Sequence, residues 1–242
     1  MIGIVVELLI SWLVLKFIQK ENLSALGFYP TKKRASEFIS GLLLPGCYFA
    51  ILYLTIAWLV KNPYMVNPHY PVRIFLFEIG FLWKSVWYED LIFRGALLYI
   101  LIKRIGPTKA VWISAVAFGI YHWFSWNAFG NPAQMLIIFI TTGMAGYIFA
   151  KAFEITRSLY LPMALHFGVD FTMMVIFSQD KSMGKQLLIK SLAVDPHTPG
   201  TFVSILVLFF YYAGFFLLGL GYLWWLRKRN ALMAKPPCHC TL

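Results

Sequence analysis

Seven long apolar segments constrain the fold of this 242-residue chain more than any other feature. A helix that crosses a bilayer needs about 20 mostly apolar residues, and several segments reach that length. Hydrophobic residues make up 60% of the chain and charged residues only 13%, which excludes an ordinary soluble domain. We therefore predict an all-α, polytopic transmembrane helical bundle of about seven to eight helices. The segments are residues 2–18, 38–60, 74–102, 110–125, 133–153, 158–177 and 202–226.

The chain shows no internal repeat, low-complexity tract or linker, so residues 1–242 are predicted to form a single transmembrane domain. Its N-terminus lacks a basic start and a small-residue cleavage site, which indicates a retained first span. The segment 74–102 is longer than a bilayer needs, and we expect its helix to start in the interface or to tilt steeply. An eighth or re-entrant helix between residues 178 and 201 stays open.

The formal net charge is +11, and the lysines and arginines lie mostly at the ends of the apolar segments and in short loops. Alternate loops carry 14 lysines and arginines on one side and five on the other. By the positive-inside rule this bias predicts a multi-pass protein of the cell membrane with its N-terminus outside and its C-terminus in the cytoplasm. Basic residues in these places are typical of contact with anionic membrane lipids. We expect no nucleic-acid partner.

Seven ionisable residues lie well inside the apolar segments, where a charge is costly and marks a functional site by default. Glu7 stands alone near the end of the first segment, where it can reach the interface, and the other six lie in three segments. Asp90 and Arg94 are four residues apart, so they are expected to pair on one helix face. Glu89 points about 100° away from Asp90 and is free to face another group. The rise of about 1.5 Å per residue gives the depth of each residue from the end of its helix, and residues from three segments reach a similar membrane depth. The six are Glu89, Asp90, Arg94, His122, His166 and Asp170.

Two imidazoles beside a carboxylate have the chemistry of an acid–base catalytic site. A polar network that only holds helices together is one alternative, because such hydrogen bonds form without any chemistry. A transporter or channel with a proton or ion path is another. We favour catalysis, because Ser, Thr or Asn would hold helices together without placing ionisable groups in the membrane.

The stretches EDLIFRG, FGIYH and HFGVD resemble, in order, the three motifs of the CPBP family of intramembrane endopeptidases. This family includes CaaX proteases and bacteriocin-processing enzymes. Its motifs are paired acids followed after three residues by Arg, then Phe-x3-His, then His-x3-Asn or Asp. The resemblance covers about residues 75–175, which we take as the catalytic core. It implies an intramembrane glutamic endopeptidase that hydrolyses peptide bonds.

The resemblance also implies a role for each residue. Glu89 would be the general base that activates water, assisted by His122. His166 and Asp170 would face the developing oxyanion.

Asp90 and Arg94 would hold the helix and the local electrostatic field in place.

Two positions depart from the family pattern. Asp90 stands where the second acid is usually Glu, and Asp170 stands where Asn is commoner. An ionised aspartate cannot donate a hydrogen bond to an oxyanion. Asp170 would therefore have to be protonated, to orient His166 or to bind a metal.

No cofactor is expected, although two histidines with carboxylates could also form a zinc site. The glutamate mechanism is favoured over zinc because the positive charge of Arg94 beside the acids opposes a bound cation. The expected substrate is a membrane-embedded or lipid-anchored protein or peptide. Prenylated CaaX proteins, bacteriocin precursors and sorting-tagged surface proteins all stay open. A non-enzymatic immunity or scaffold protein that keeps the same residues also stays open.

Overall fold

The computed structural model describes residues 2–178, 186–190 and 197–233. Most of these residues are helical, which confirms the all-α class. One small antiparallel sheet pairs β1 (Tyr64–Val66) with β2 (Leu188–Lys190), so that Met65 faces Ile189. The α-helices are α1 Ile2–Val14, α2 Lys32–Leu59, α3 Val72–Arg94, α4 Ala96–Ile105, α5 Pro107–Ser125, α6 Pro132–Thr156, α7 Tyr160–Asp170, α8 Thr201–Phe209 and α9 Phe215–Met233.

Several of these helices continue through π-helical turns. The segment Leu15–Gln19 extends α1, Phe171–Ile176 extends α7, and Phe210–Gly214 joins α8 to α9. A π-turn often lies at a functional site. The one that extends α7 begins directly after Asp170, a predicted site residue.

Four helical segments of the described chain are long and apolar enough to cross a membrane, while α7 with its π extension is a shorter apolar helix. Their large apolar side chains are widely exposed, as at Ile51 and Leu54 of α2, which suits contact with lipid tails. The chain is therefore a membrane protein. The four segments are Ile2–Gln19, Lys32–Leu59, Pro132–Thr156 and Thr201–Leu232.

The predicted single helix over residues 74–102 is wrong, because the chain breaks at Gly95 between α3 and α4. A Cβ atom at Gly95 would lie 2.2 Å from the backbone oxygen of Leu91, so only glycine fits this backbone. Hydropathy cannot reveal the break, since apolar residues continue on both sides of it.

The sequence allows an eighth or re-entrant helix between residues 178 and 201. Residues 188–190 form β2, and residues 197–200 are not helical. Positions 179–185 and 191–196 lie outside the described residues.

Close helix contacts position the predicted site. Helices α2 and α7 approach at Gly168, where an added Cβ would lie 2.7 Å from the backbone oxygen of Leu42. Helices α5 and α6 approach at Gly119, where a Cβ would lie 3.0 Å from the backbone oxygen of Phe139. Small residues at such crossings let membrane helices pack backbone against backbone. The two crossings hold α7 against α2 and α5 against α6. Helices α5 and α7 each also contact α3, which carries the predicted acids.

Candidate active site

Glu89 lies near the C-terminal end of α3, with its side chain 13% exposed. Its Oε1 atom accepts a long hydrogen bond of 3.5 Å from Ser85, one helical turn earlier. Its Oε2 atom has no hydrogen-bond partner within the described residues. That oxygen lies 4.0 Å from Nε2 of His122 and 3.7 Å from Nε2 of His166. One carboxylate oxygen therefore faces both imidazoles across a gap that a water molecule could bridge.

His122 projects from α5, one turn after Phe118. Its Nδ1 atom lies 2.8 Å from the backbone oxygen of Phe118. Because a carbonyl oxygen only accepts hydrogen bonds, Nδ1 must carry the proton. In the neutral ring the lone pair is then on Nε2, which faces Glu89. The local helix contact thus aims the basic nitrogen of His122 at the carboxylate.

His166 projects from α7 and is surrounded by three carboxylates. Its Nδ1 atom lies 3.3 Å from Oδ2 of Asp90. Its Nε2 atom lies 3.7 Å from Oε2 of Glu89 and 3.4 Å from Oδ2 of Asp170. With Nδ1 donating to the buried acid, Nε2 is the nitrogen that faces the gap.

Asp90 and Arg94 form the expected pair on one face of α3, and both side chains are fully buried. Nη1 of Arg94 lies 3.1 Å from Oδ1 of Asp90. The guanidinium carbon also lies 3.9 Å from the centre of the Phe118 ring and 5.1 Å from that of Phe149. Two ring faces can stabilise a cation that is shielded from water. The pair therefore holds Asp90 next to His166.

Asp170 ends α7 and is the most open of the three acids, with its side chain 29% exposed. Its carboxylate turns to Nε2 of His166, four residues earlier on the same helix. Of the three roles left open by the sequence, this contact fits the orientation of His166.

The structure brings all six predicted residues into one connected cluster. Glu89 and Asp170 face the Nε2 side of the histidines. Asp90, with Arg94 behind it, faces Nδ1 of His166.

Two further residues contact this cluster, Phe149 and Ser85. The ring of Phe149 stacks on His166, with centroids 4.9 Å apart and planes 24° from parallel. Ser85 could have been found, since it lies one turn before Glu89 on the same face. Nothing in the sequence marks Phe149, which is one of many apolar residues of α6.

Within the described part of the chain, no three or more His, Cys, Asp and Glu side chains are grouped as a metal site requires. Both Nδ1 atoms of the two histidines already face oxygen atoms of the protein. The Nε2 atoms and the carboxylates of Glu89 and Asp170 are the remaining candidate donors.

Residues 71–172 match the family model described as Rce1-like, a type II CAAX prenyl endopeptidase. The matched range begins just before α3 and ends in the π-helical turn after α7, so it contains all six candidate residues. No curated protein and no solved structure matches the chain. The matched family is a family of proteases. The match confirms, over residues 71–172, the resemblance of this chain to the CPBP and CaaX protease family.

Proposed function

We propose that this protein is an intramembrane endopeptidase that hydrolyses a peptide bond with water activated by Glu89. The observation that carries the proposal is the position of one Glu89 oxygen, 4.0 Å and 3.7 Å from the Nε2 atoms of His122 and His166. A general base must lie within hydrogen-bond reach of the proton that it removes, directly or through one water. The gap between these atoms suits the nucleophilic water itself.

In the first step the water donates a proton to Glu89, and its oxygen forms a bond to the carbonyl carbon of the substrate. Nε2 of His122 accepts the second hydrogen bond of the water and aligns its lone pair. The carbonyl oxygen becomes an oxyanion. His166 acts as an imidazolium, whose Nδ1–H donates to the carboxylate of Asp90. Its Nε2–H donates a hydrogen bond to this oxyanion and stays on the ring throughout. Asp170 orients the His166 ring.

In the second step the tetrahedral intermediate collapses. The carbon–nitrogen bond breaks, and Glu89 returns its proton to the leaving amine nitrogen. The products are a carboxylic acid and an amine, and Glu89 is ionised again. Asp90 and Arg94 touch neither reacting atom, and they act by fixing the position of His166.

The substrate class that we propose is a membrane-embedded or lipid-anchored protein or peptide. The name of the matched family, a CAAX prenyl endopeptidase, makes a prenylated C-terminal tail the first substrate to test. We also propose a multi-pass arrangement with the N-terminus outside and the C-terminus in the cytoplasm, on the basis of the charge bias between loops.

A zinc-dependent protease is the second candidate, because two imidazole nitrogens face one carboxylate oxygen. Zinc would act as a Lewis acid on the same water. The charge of Arg94, held close to the acids, favours the metal-free mechanism. Exhaustive chelation separates the two, since the glutamate mechanism retains full activity and the zinc mechanism loses it.

The decisive variant is Glu89→Gln, which keeps the shape of the side chain and removes the base. Cleavage of a fluorogenic farnesylated CaaX peptide and of membrane-anchored C-terminal tails is measured with purified protein in lipid. We expect the rate to fall at least about 100-fold, the usual minimum effect of losing a general base. Glu78→Gln, in the same helix, is the matched control, because Glu78 contacts Tyr70 and not the histidines.

Wild-type cleavage together with equal turnover by Glu89→Gln would contradict the assignment of the base. No cleavage of any tail by the wild-type protein would instead favour the non-enzymatic or transport alternatives.

A further inference from the structure

A cavity of about 390 Å³ opens at one end of the bundle, away from the candidate active site. Tyr99, Ile102 and Lys103 of α4 form one wall. The rest of the lining comes from Ala25, Pro107 at the start of α5, and Arg157 after the end of α6. Two of the candidate membrane spans end shortly before lining residues in the chain: one at Gln19, before Ala25, and one at Thr156, directly before Arg157. If these helices cross the bilayer, the cavity lies at the level of the lipid headgroups.

Arg157 is an exposed cation with no ion pair in the part of the chain that the structure describes. Its backbone is left-handed, with φ 52° and ψ 40°. A residue in this position after a helix is usually glycine, because a side chain is strained there. This helix ending places the side chain of Arg157 at the wall of the cavity.

Lys103 is already partly neutralised. Its ammonium group contacts the carboxylate of Glu21, which also accepts a hydrogen bond from the Tyr99 hydroxyl. These two contacts hold the lysine and the tyrosine at the cavity wall. The charges of Lys103 and Glu21 cancel each other. Among the described residues, the positive charge of Arg157 therefore stays uncompensated at the cavity wall.

We propose that this cavity binds the phosphate of an anionic phospholipid headgroup. The planar guanidinium of Arg157 suits two-pronged hydrogen bonding to phosphate oxygens. Basic pockets between transmembrane helices at the membrane surface are typical headgroup sites. The apolar side chains of Ile102 and Pro107 provide contact for the glycerol backbone. The volume is within the range of about 300–1,000 Å³ that small-molecule sites occupy.

Because the backbone of Arg157 is left-handed, Arg157→Gly can remove the side chain without straining the fold. Glycine removes the guanidinium and relieves the strained conformation, so the variant should fold at least as well as the wild type. Lys20→Gly is the matched control. Lys20 is also an exposed basic residue in a left-handed conformation after a helix, with φ 58°, and it does not line the cavity.

The experiment measures thermal unfolding in detergent with added phosphatidylglycerol or phosphatidylcholine. For the wild-type protein, saturating phosphatidylglycerol should raise the midpoint by roughly 5 °C or more above the effect of phosphatidylcholine. Arg157→Gly should lose most of this difference, Arg157→Lys should recover part of it, and Lys20→Gly should retain it. Equal effects of the two lipids on the wild type, or a full shift in Arg157→Gly, would overturn the proposal. An equal loss in Lys20→Gly would also overturn it.

A second pair of ligands identifies the source of the phosphate. Inorganic phosphate and glycerol 3-phosphate, at matched ionic strength, should stabilise the wild-type protein far less than phosphatidylglycerol does. If they stabilise it equally through Arg157, the cavity binds a soluble phosphate and the lipid assignment is wrong. These measurements need no protease activity, so their outcome is separate from that of the proposed function.

Discussion

Nδ1 of His166 lies 3.3 Å from Oδ2 of Asp90, and both side chains are buried. The other oxygen of Asp90 faces Arg94. One carboxylate thus links the orientation of a histidine on α7 to a cation on its own helix, α3. This link makes the site sensitive to changes that touch none of the reacting atoms.

Asp90→Asn should strongly destabilise the protein, because the buried guanidinium of Arg94 loses its counter-charge. Removal of one partner from a buried pair typically costs about 3–5 kcal/mol. Replacement of both, in Asp90→Asn with Arg94→Met, should cost less than the sum of the single changes. Thermal unfolding of the two single variants and the double variant measures this. Additive losses would mean that the two side chains are not coupled.

Asp170→Asn should keep cleavage within about tenfold of the wild-type rate, whereas Asp170→Ala should lose about 100-fold. An asparagine can still accept a hydrogen bond from Nε2 of His166, and its amide can donate to an oxyanion. The steady-state rates of the two variants are compared on the same tail peptide. Complete loss in Asp170→Asn would show that an ionised carboxylate, or a metal that it binds, is required.

Gly168→Ala should destabilise the α2–α7 packing by about 1–3 kcal/mol, the usual cost of overpacking. The new Cβ atom would lie 2.7 Å from the backbone oxygen of Leu42 and 2.7 Å from Cγ of Pro45. Gly80→Ala in α3 is the control, because no atom beyond the local backbone of α3 lies within 4 Å of a Cβ at that position. It should be neutral or more stable by up to about 1 kcal/mol. Similar midpoints for both variants would argue against the close crossing.

Glu21 gives a predicted pH dependence outside the membrane spans. Hydrogen bonds from Lys103 and then from Tyr99 lower the pKa of Glu21 from its usual value of 4.5. A lowered folded-state pKa adds stability above the unfolded pKa, and this stability is lost as the pH falls through the folded pKa. Wild type should therefore exceed Glu21→Gln in thermal midpoint at pH 7, and the difference should vanish as the pH falls well below 4.5. A constant difference across this range would contradict the ionised contact.

Much of the candidate site could be predicted because charges inside apolar helices are rare and their spacing fixes their face. The pairing of Asp90 with Arg94, and of His166 with Asp170, follows directly from a separation of four residues. Helical rise was enough to place Glu89 and both histidines at compatible depths. These features depend only on the geometry of a single helix, which can be predicted from the spacing of residues in the sequence.

The features that the sequence does not reveal depend on contacts between helices or on backbone shape. The stacking of Phe149 on His166 depends on how α6 packs beside α7, and every aromatic residue of α6 fits the same hydropathy pattern. The break at Gly95 depends on a steric conflict with the backbone of Leu91. Neither leaves a periodic signal.

The interruption at Gly95 also bears on how proteins of this kind can diverge. Because α4 is not a rigid continuation of α3, substitutions that reorient α4 need not rotate Glu89. Substitutions in α4 can then reshape the cavity that this helix lines while Glu89, His122 and His166 keep their relative positions.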